Sequence, residues 1–442
     1  MEGPTFLGEY SNESATYFFL IGFFILIIES LVRGKFAIPY KHHLMWILGA
    51  FILWATIATI LNFDTVNQNF YKQTSGWNRF IRQNFSLLIS AIVFPLFFWN
   101  IIKNNTVYEN FLRIRKVLLF SFIFVSLYGF FEIAIVYLGM GFLMPVFDLF
   151  EYLPFINNNL HQGSRIGISS VTFEIPALGT YLIMVLPWMV SYIFTEKNIL
   201  KYLPLGVSLI LLFFSNSRSA LIVILLQLIV LLILLILDPQ YRKNTLSLLK
   251  YSSIAIFCLL LWNSEAIVKT VSEKADSVNF SKNLTKNVSN KSRFGIQHAT
   301  LEVFKENPII GVGLGQNTYH AIRHYPYWST HNNWEFELKY KNQTDKSFPP
   351  NYNIYTRLAA ELGVIGLGIF SILMLLCIYY SFMVWKLSNN SMRFVGVILI
   401  ISFVGLSINW MQLDYFRQYG FWLCLMLLIQ IMILKRKSIL NE

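Results

Sequence analysis

Residues 213–237 read FFSNSRSALIVILLQLIVLLILLIL. From residue 219 onward this is an unbroken apolar-rich run close to the ~20 residues that carry a helix across a hydrocarbon core. A second apolar run, 201–214, ends just before it, so Arg218 stands between two candidate membrane helices with almost no polar loop to dilute its charge. A cation at such a junction lies at the membrane surface, where a guanidinium stays charged and solvated.

The rest of the chain agrees with that reading. Of its 442 residues, 55% are hydrophobic and only 13% charged, and the mean hydropathy is +0.54. A soluble domain of this size does not have that composition, so the expected class is an all-α polytopic membrane protein. The formal charge of +12 does not point to nucleic acid, because most of it falls in the short loops of one face. Cys258, Cys377 and Cys424 lie inside apolar runs and read as packing residues.

About eleven to twelve transmembrane helices are expected, eleven of them placed near 15–32, 44–61, 84–102, 117–138, 175–195, 201–214, 219–237, 251–263, 354–385, 394–411 and 418–434. If the C-terminal KRKSILNE is cytoplasmic, the short loops on that side carry 17 basic residues and those on the other side six: Lys72, Arg79, Arg82, Arg165, Arg218 and Arg417. The positive-inside rule selects this orientation. The chain then divides into transmembrane helices over 1–263, a large external loop over 264–352 and C-terminal transmembrane helices over 353–442. The loop is too long to be a simple connection. With Trp328, Trp334 and several tyrosines it reads as a folded, mainly helical subdomain.

Four arginines adjoin apolar segments on the external side or open the loop: Arg165, Arg218, Arg293 and Arg417. The loop otherwise prefers lysine, and a guanidinium fork binds phosphate bidentately. A diphosphate or other polyanionic head group on a lipid tail is the ligand such a set fits. Carboxylates are scarce, so Glu174 and Asp414 at the mouths of spans, and Glu361 one turn into the span from 354, stand out. Glu174 and Asp414 suit a general base or partners that orient the arginines.

Other chemistries find little support. GVGLGQ at 311–316 lacks the strand–helix setting of a dinucleotide fingerprint and reads as a tight turn after Pro308. His320 and His324 have i, i+4 spacing, but no glutamate completes a His-Glu-x-x-His pair. No metal or cofactor is expected. There is no Gly-x-Ser-x-Gly elbow either.

The order of these features resembles the O-antigen polymerase and O-antigen ligase superfamily of bacterial envelope glycosyltransferases. The resemblance rests on RIGISSVTFEIPALGTYL (165–182), SNSRSALIVILL (215–226), SRFGIQHATLEVFKENPIIGVGLGQNTY (292–319) and PPNYNIYTRLAAELGVIGLGIF (349–370). In that family an arginine of the Ser-Arg segment and another opening the large loop are thought to bind a lipid-linked diphosphate; Arg218 and Arg293 match them. The ligases carry His-Asn, nine residues, then Gly-x-x-Gly. Here Asn353 and Gly363-Val364-Ile365-Gly366 keep that spacing, but Tyr352 replaces the histidine, which favours the polymerase branch.

The resemblance implies a GT-C-like enzyme of the bacterial inner membrane, acting at the periplasmic face on undecaprenyl-diphosphate-linked glycan as donor and acceptor. It would join oligosaccharide repeat units without a metal, with membrane lipid around it and a chain-length regulator as a further partner. Arg218, Arg293, Glu174 and Asp414 would carry catalysis. Arg165, Arg417, Tyr352, Asn353, His320 and His324 would bind substrate, and Tyr319, Tyr325, Trp328, Trp334, Tyr352 and Tyr355 offer faces for sugars. The alternatives are a ligase or oligosaccharyltransferase moving the glycan to lipid A core or protein, and a transporter of lipid-linked glycan.

Overall fold

Hydrocarbon offers no partners to backbone amides, so each apolar run must satisfy its own hydrogen bonds, and helix is the form open to a single segment. The computed structural model describes residues 14–34, 36–152, 160–161, 167–243, 245–247, 249–250, 288–344, 347–387 and 390–440. Eight of its helices are long and apolar enough to cross a membrane, and two shorter apolar helices, Ile199–Ser215 and Tyr419–Leu434, accompany them. This is an all-α polytopic membrane protein. The expected span at 251–263 and Arg165 lie outside the described residues.

In chain order the helices are α1 Ser14–Arg33, α2 His43–Leu61, the short α3 Phe63–Gln68, α4 Gly76–Leu88 and α5 Phe94–Ile102 joined by a π-helical turn, α6 Val107–Val136, the short α7 Met144–Asp148, α8 Ile175–Thr195, α9 Leu203–Ser215 and α10 Arg218–Leu237. After the undescribed interval come α11 Val288–Glu306, the short α12 Asn317–Ala321 and α13 Tyr327–Thr330, then α14 Ile354–Leu387, α15 Asn390–Asn409 and α16 Tyr419–Leu440. The sheet is one hairpin, β1 Phe70–Tyr71 and β2 Thr74–Ser75.

Two helices begin earlier than hydropathy suggests. α6 starts at Val107 because Thr106 and Glu109 form a capping box. α4 starts at Gly76 because Ser75 caps it, and its first turns are amphipathic, carrying Arg79, Arg82 and Gln83 among apolar residues. A hydropathy window averages such a segment away.

Helix α15 lies at the centre, with most of its residues from Val395 to Leu406 buried. Gln227 of α10 ties the middle together: its Nε2 donates to the carbonyls of Ile183 in α8 (3.1 Å) and Ile401 in α15 (3.0 Å). At one end Arg393 reaches Asp238 at 3.1 Å and Arg115 reaches Glu196 at 3.3 Å. These belong to the basic loops, so this is the basic end. Residues 288–353 cover the other, the loop end. Asp238 and α11, on either side of the undescribed interval, stand at opposite ends of the bundle.

Helix α14 is broken at Gly363, where φ is +65°. The break frees backbone groups that must find other partners. The carbonyls of Ala360 and Glu361 accept from the amides of Val312 (3.0 Å) and Gly313 (2.8 Å), and the amide of Val364 donates to Pro308 O at 2.8 Å. The carbonyl of Leu362 accepts from Trp54 Nε1 at 2.9 Å. The glycine-rich segment is therefore a turn between α11 and α12, as expected, and also a plug in the broken helix. Asn62 and Thr59 of α2 hold it from behind, through Gly311 O at 3.0 Å and Leu314 N at 2.9 Å. The amides of Gly311, Val312, Gly313, Leu314 and Gln316 are engaged with protein, so they do not form a phosphate cradle.

Candidate functional site at the loop end

Gln227 sets a common level for three helices. Counting upward at 1.5 Å per residue, Arg218 on α10 and Glu174 before α8 stand about 13 Å above it, at the end where α15 finishes. Arg218 follows a tight corner in which Asn216 takes the left-handed conformation at φ 56° and closes α9. Gly179 of α8 lets α10 come close just there, since a side chain on it would meet Ser217 and Ala220 under 3.0 Å. Arg218 is half-buried and Glu174 exposed, the latter at the cap position of α8 without a side-chain cap bond.

The densest polar constellation is built around Arg357, one turn into α14. Its Nε lies 3.1 Å from Glu361 Oε1, one Nη donates to Gln83 Oε1 of α4 at 2.6 Å, and the other to the carbonyl of Asp414 at 2.5 Å. Arg357 is 6% exposed and Glu361 2%. Asp414 also accepts the amide of Asn351 through Oδ2 at 2.6 Å. The adjoining Tyr352 is held at φ 58°. Its ring lies under the guanidinium of Arg293, 4.7 Å from ring centre to Cζ. Its hydroxyl is 3.5 Å from Glu335 Oε1.

Arg293 thus stands over an aromatic face, a cation–π arrangement. Its Nε is buried without a hydrogen-bond partner among the described residues. Burial first and then the Glu335 charge push the Tyr352 phenol up to about 12, with Arg293 opposing. The phenol stays protonated at ordinary pH. It is a donor and a platform, where an imidazole would exchange protons.

The remaining expected site residues separate into groups. Arg417 lies over the Tyr415 ring at 4.5 Å, in the turn that carries Asp414. Asn353 caps α14, its Oδ1 accepting from the amides of Tyr355 (2.9 Å) and Thr356 (3.2 Å). His324 reaches Glu306 at 3.2 Å. His320 is half-buried, and burial, then Arg323, holds it below the usual imidazole value. His331 stacks on Tyr327 at 4.9 Å. Of the aromatic faces, Tyr319 and Tyr355 are committed to backbone through their hydroxyls, to Thr74 O (3.0 Å) and Ser407 O (2.8 Å), and Tyr325 packs on Phe336. Trp328 and Trp334 keep exposed faces, at 38% and 55%.

Sequence reasoning passed over Arg357, Gln83 and Glu335. A signal for the first was present: Arg357 and Glu361 have the i, i+4 spacing of an ion pair within an apolar span, where charge is costly and singles out function.

Against known proteins, no curated protein matches the chain. Residues 203–371 match the model of a family described as O-antigen ligase. The matched stretch runs from α9 into α14 and includes Arg218, Arg293, Tyr352, Arg357 and the break at Gly363, while Glu174 and Asp414 lie outside it. The match supports the O-antigen ligase and polymerase superfamily, whose members are glycosyltransferase-like enzymes of the membrane with lipid-linked glycan substrates.

Proposed function

We propose that the protein is a polymerase of O-antigen or a related surface polysaccharide. In this reading it joins oligosaccharide repeat units carried on undecaprenyl diphosphate at the periplasmic face of the inner membrane. The observation that carries the reading is the loop-end cluster inside the family-matched stretch, where Arg293 is held on the face of Tyr352 with a buried Nε. A pre-placed guanidinium suits the charge that grows on a departing diphosphate. An acceptor hydroxyl attacks the anomeric carbon, the bond from that carbon to the diphosphate oxygen breaks, and the diphosphate leaves with the electron pair. Arg218 and Arg293 stabilise that negative charge. Asp414, whose Oδ2 accepts the amide of Asn351 next to Tyr352, is the carboxylate assigned in this reading to accept the hydroxyl proton.

One observation favours the ligase as a second reading: the matched family is described by that activity. The replacement of the ligases' histidine by Tyr352, whose phenol does not titrate near neutrality, argues for the polymerase. The test is expression of Arg218→Ala and Arg293→Ala in a strain deleted for this gene, with membrane levels checked and surface glycan resolved by length. A polymerase predicts loss of the long ladder while single repeat units remain attached. Loss of all attached glycan, with long chains left on the carrier lipid, would make it a ligase. An unchanged ladder in both variants would sink the diphosphate role.

A further inference from the structure

A polymerase differs from a ligase in one physical requirement. Both its substrates are carried on lipid diphosphates, so its loop end must hold two such groups, and Arg218 with Arg293 accounts for one. The continuous helix from Gly76 to Ile102 has 27 residues, about 40 Å at 1.5 Å each, against a hydrocarbon core of about 30 Å. Its last residue adjoins Lys103 at the basic end, so the turns before about residue 83 project beyond the core on the loop side. Trp77, packed against Phe63 with ring centres 5.3 Å apart, lies where an aromatic belt is expected.

Arg79 and Arg82 lie on those projecting turns. Asn78, Ile81, Arg82 and Phe85 form an exposed strip along α4, with Ile81 47% and Phe85 56% exposed. A lipid lying along Phe85 and Ile81 brings its head group to Arg82. One turn away Arg79 sits over the Phe348 ring at 4.3 Å. Both guanidinium charges also act on the Tyr319 phenol, so they share one neighbourhood. Phe348 under Arg79 and Tyr352 under Arg293 are four residues apart, at most about 14 Å by chain reach. The same loop strand therefore carries two aromatic platforms, each covered by an arginine. Gln83, beside Arg82, is bonded to Arg357 at 2.6 Å, which fixes α4 against the cluster.

We propose that Arg79 and Arg82 form a second site for a lipid-linked diphosphate, the one that carries the acceptor glycan. Two guanidinium forks at i, i+3 spacing on one helix converge on a diphosphate. The lipid tail runs down the apolar strip of α4. This inference rests on the polymerase reading for its biological sense, but binding tests it separately.

The experiment is native mass spectrometry of the full chain with undecaprenyl diphosphate, in the presence and absence of phosphatidylglycerol. The wild type is expected to bind two molecules, Arg79→Gln/Arg82→Gln one, and Arg218→Gln/Arg293→Gln one. Because Arg79 also packs on Phe348, the single Arg82→Gln variant serves as a check. Its exposed side chain leaves the fold intact, and the second molecule should bind about tenfold more weakly. A second molecule that survives the α4 substitutions, or a wild type that binds only one molecule and keeps it in the α4 variant, would overturn the second site while leaving the polymerase reading standing. Equal displacement of the second molecule by phosphatidylglycerol would also overturn it, reducing these arginines to ordinary head-group contacts. Loss of all attached glycan in Arg218→Ala and Arg293→Ala, with long chains left on the carrier lipid, would sink the polymerase reading instead, whatever the number of bound molecules.

Discussion

Arg357 Nε and Glu361 Oε1 lie 3.1 Å apart with both side chains under 10% exposed. The pair is a fastening point for three elements, since the same guanidinium also holds Gln83 of α4 and the carbonyl of Asp414. Removing one member of a buried pair strands the other's charge, whereas removing both need not. Arg357→Ala should therefore lower stability by about 3–5 kcal/mol. Arg357→Leu/Glu361→Leu should recover a large part of that loss. Thermal unfolding of the purified variants in detergent measures both, and equal losses in the single and double variants would refute the pair's role.

The stacking of Arg293 on Tyr352 separates charge from shape. Arg293→Lys keeps the charge but loses the planar fork, and transfer rate should fall about tenfold. Arg293→Ala should cost roughly 10²–10³, the scale of losing a donor to a developing anion. Tyr352→Phe keeps the ring under the guanidinium and loses only the hydroxyl's contacts with Glu335 and Tyr340, so its rate should stay within about threefold of wild type. Initial rates with a lipid-linked repeat unit decide the order. A Lys variant as impaired as Ala would mean the fork, with its bidentate geometry, is the whole effect.

Gly363 is required by the break in α14. Its φ is +65°, and a side chain there would meet Ile309 O at 2.0 Å. Gly363→Ala should destabilise by about 2–4 kcal/mol, from backbone strain and loss of the docked 308–313 segment. Gly368, five residues on, has nothing within 4 Å of that position, and Gly368→Ala should stay within about 0.5 kcal/mol of wild type. Comparable losses in the two would show that the docked segment does not need the break.

His320 should make the loop-end subdomain pH-sensitive. Its folded pKa is held below the ordinary value by burial, then Arg323. The unfolded chain therefore binds the proton more readily. The histidine's contribution is present above the unfolded value near 6.5 and is lost as pH falls through the lower folded value. Hydrogen exchange over 317–324 should quicken between pH 7.5 and 5.5 beyond its intrinsic pH dependence, and His320→Gln should remove most of the difference. A wild type with no added quickening would show that His320 does not titrate in this range.

Much of the bundle could be read from hydropathy alone because lipid imposes one rule on every span. The places where the reading fell short share a physical cause. The start of α4 was hidden because Arg79, Arg82 and Gln83 lower its average hydropathy, although they are the residues that face the loop end. Arg357 was overlooked because it lies inside a span, where an arginine looks like an interruption, and Glu361 one turn below it was read by itself and not as its partner. The glycines of 311–315 were legible as a turn. Their partner could not be read, since it is the broken backbone of a helix some fifty residues later.

The sequence by itself determined the class of the protein and the approximate course of most spans, because those depend on local composition against a fixed slab of hydrocarbon. It also marked Arg218, Arg293 and Tyr352 through their order along the chain. The tertiary structure alone decided that Arg293 lies on Tyr352 and that Arg357 binds α4 to the Asp414 turn. Each of these is a contact between segments distant in sequence, set by how helices pack and where a break frees a carbonyl, and no local pattern encodes it.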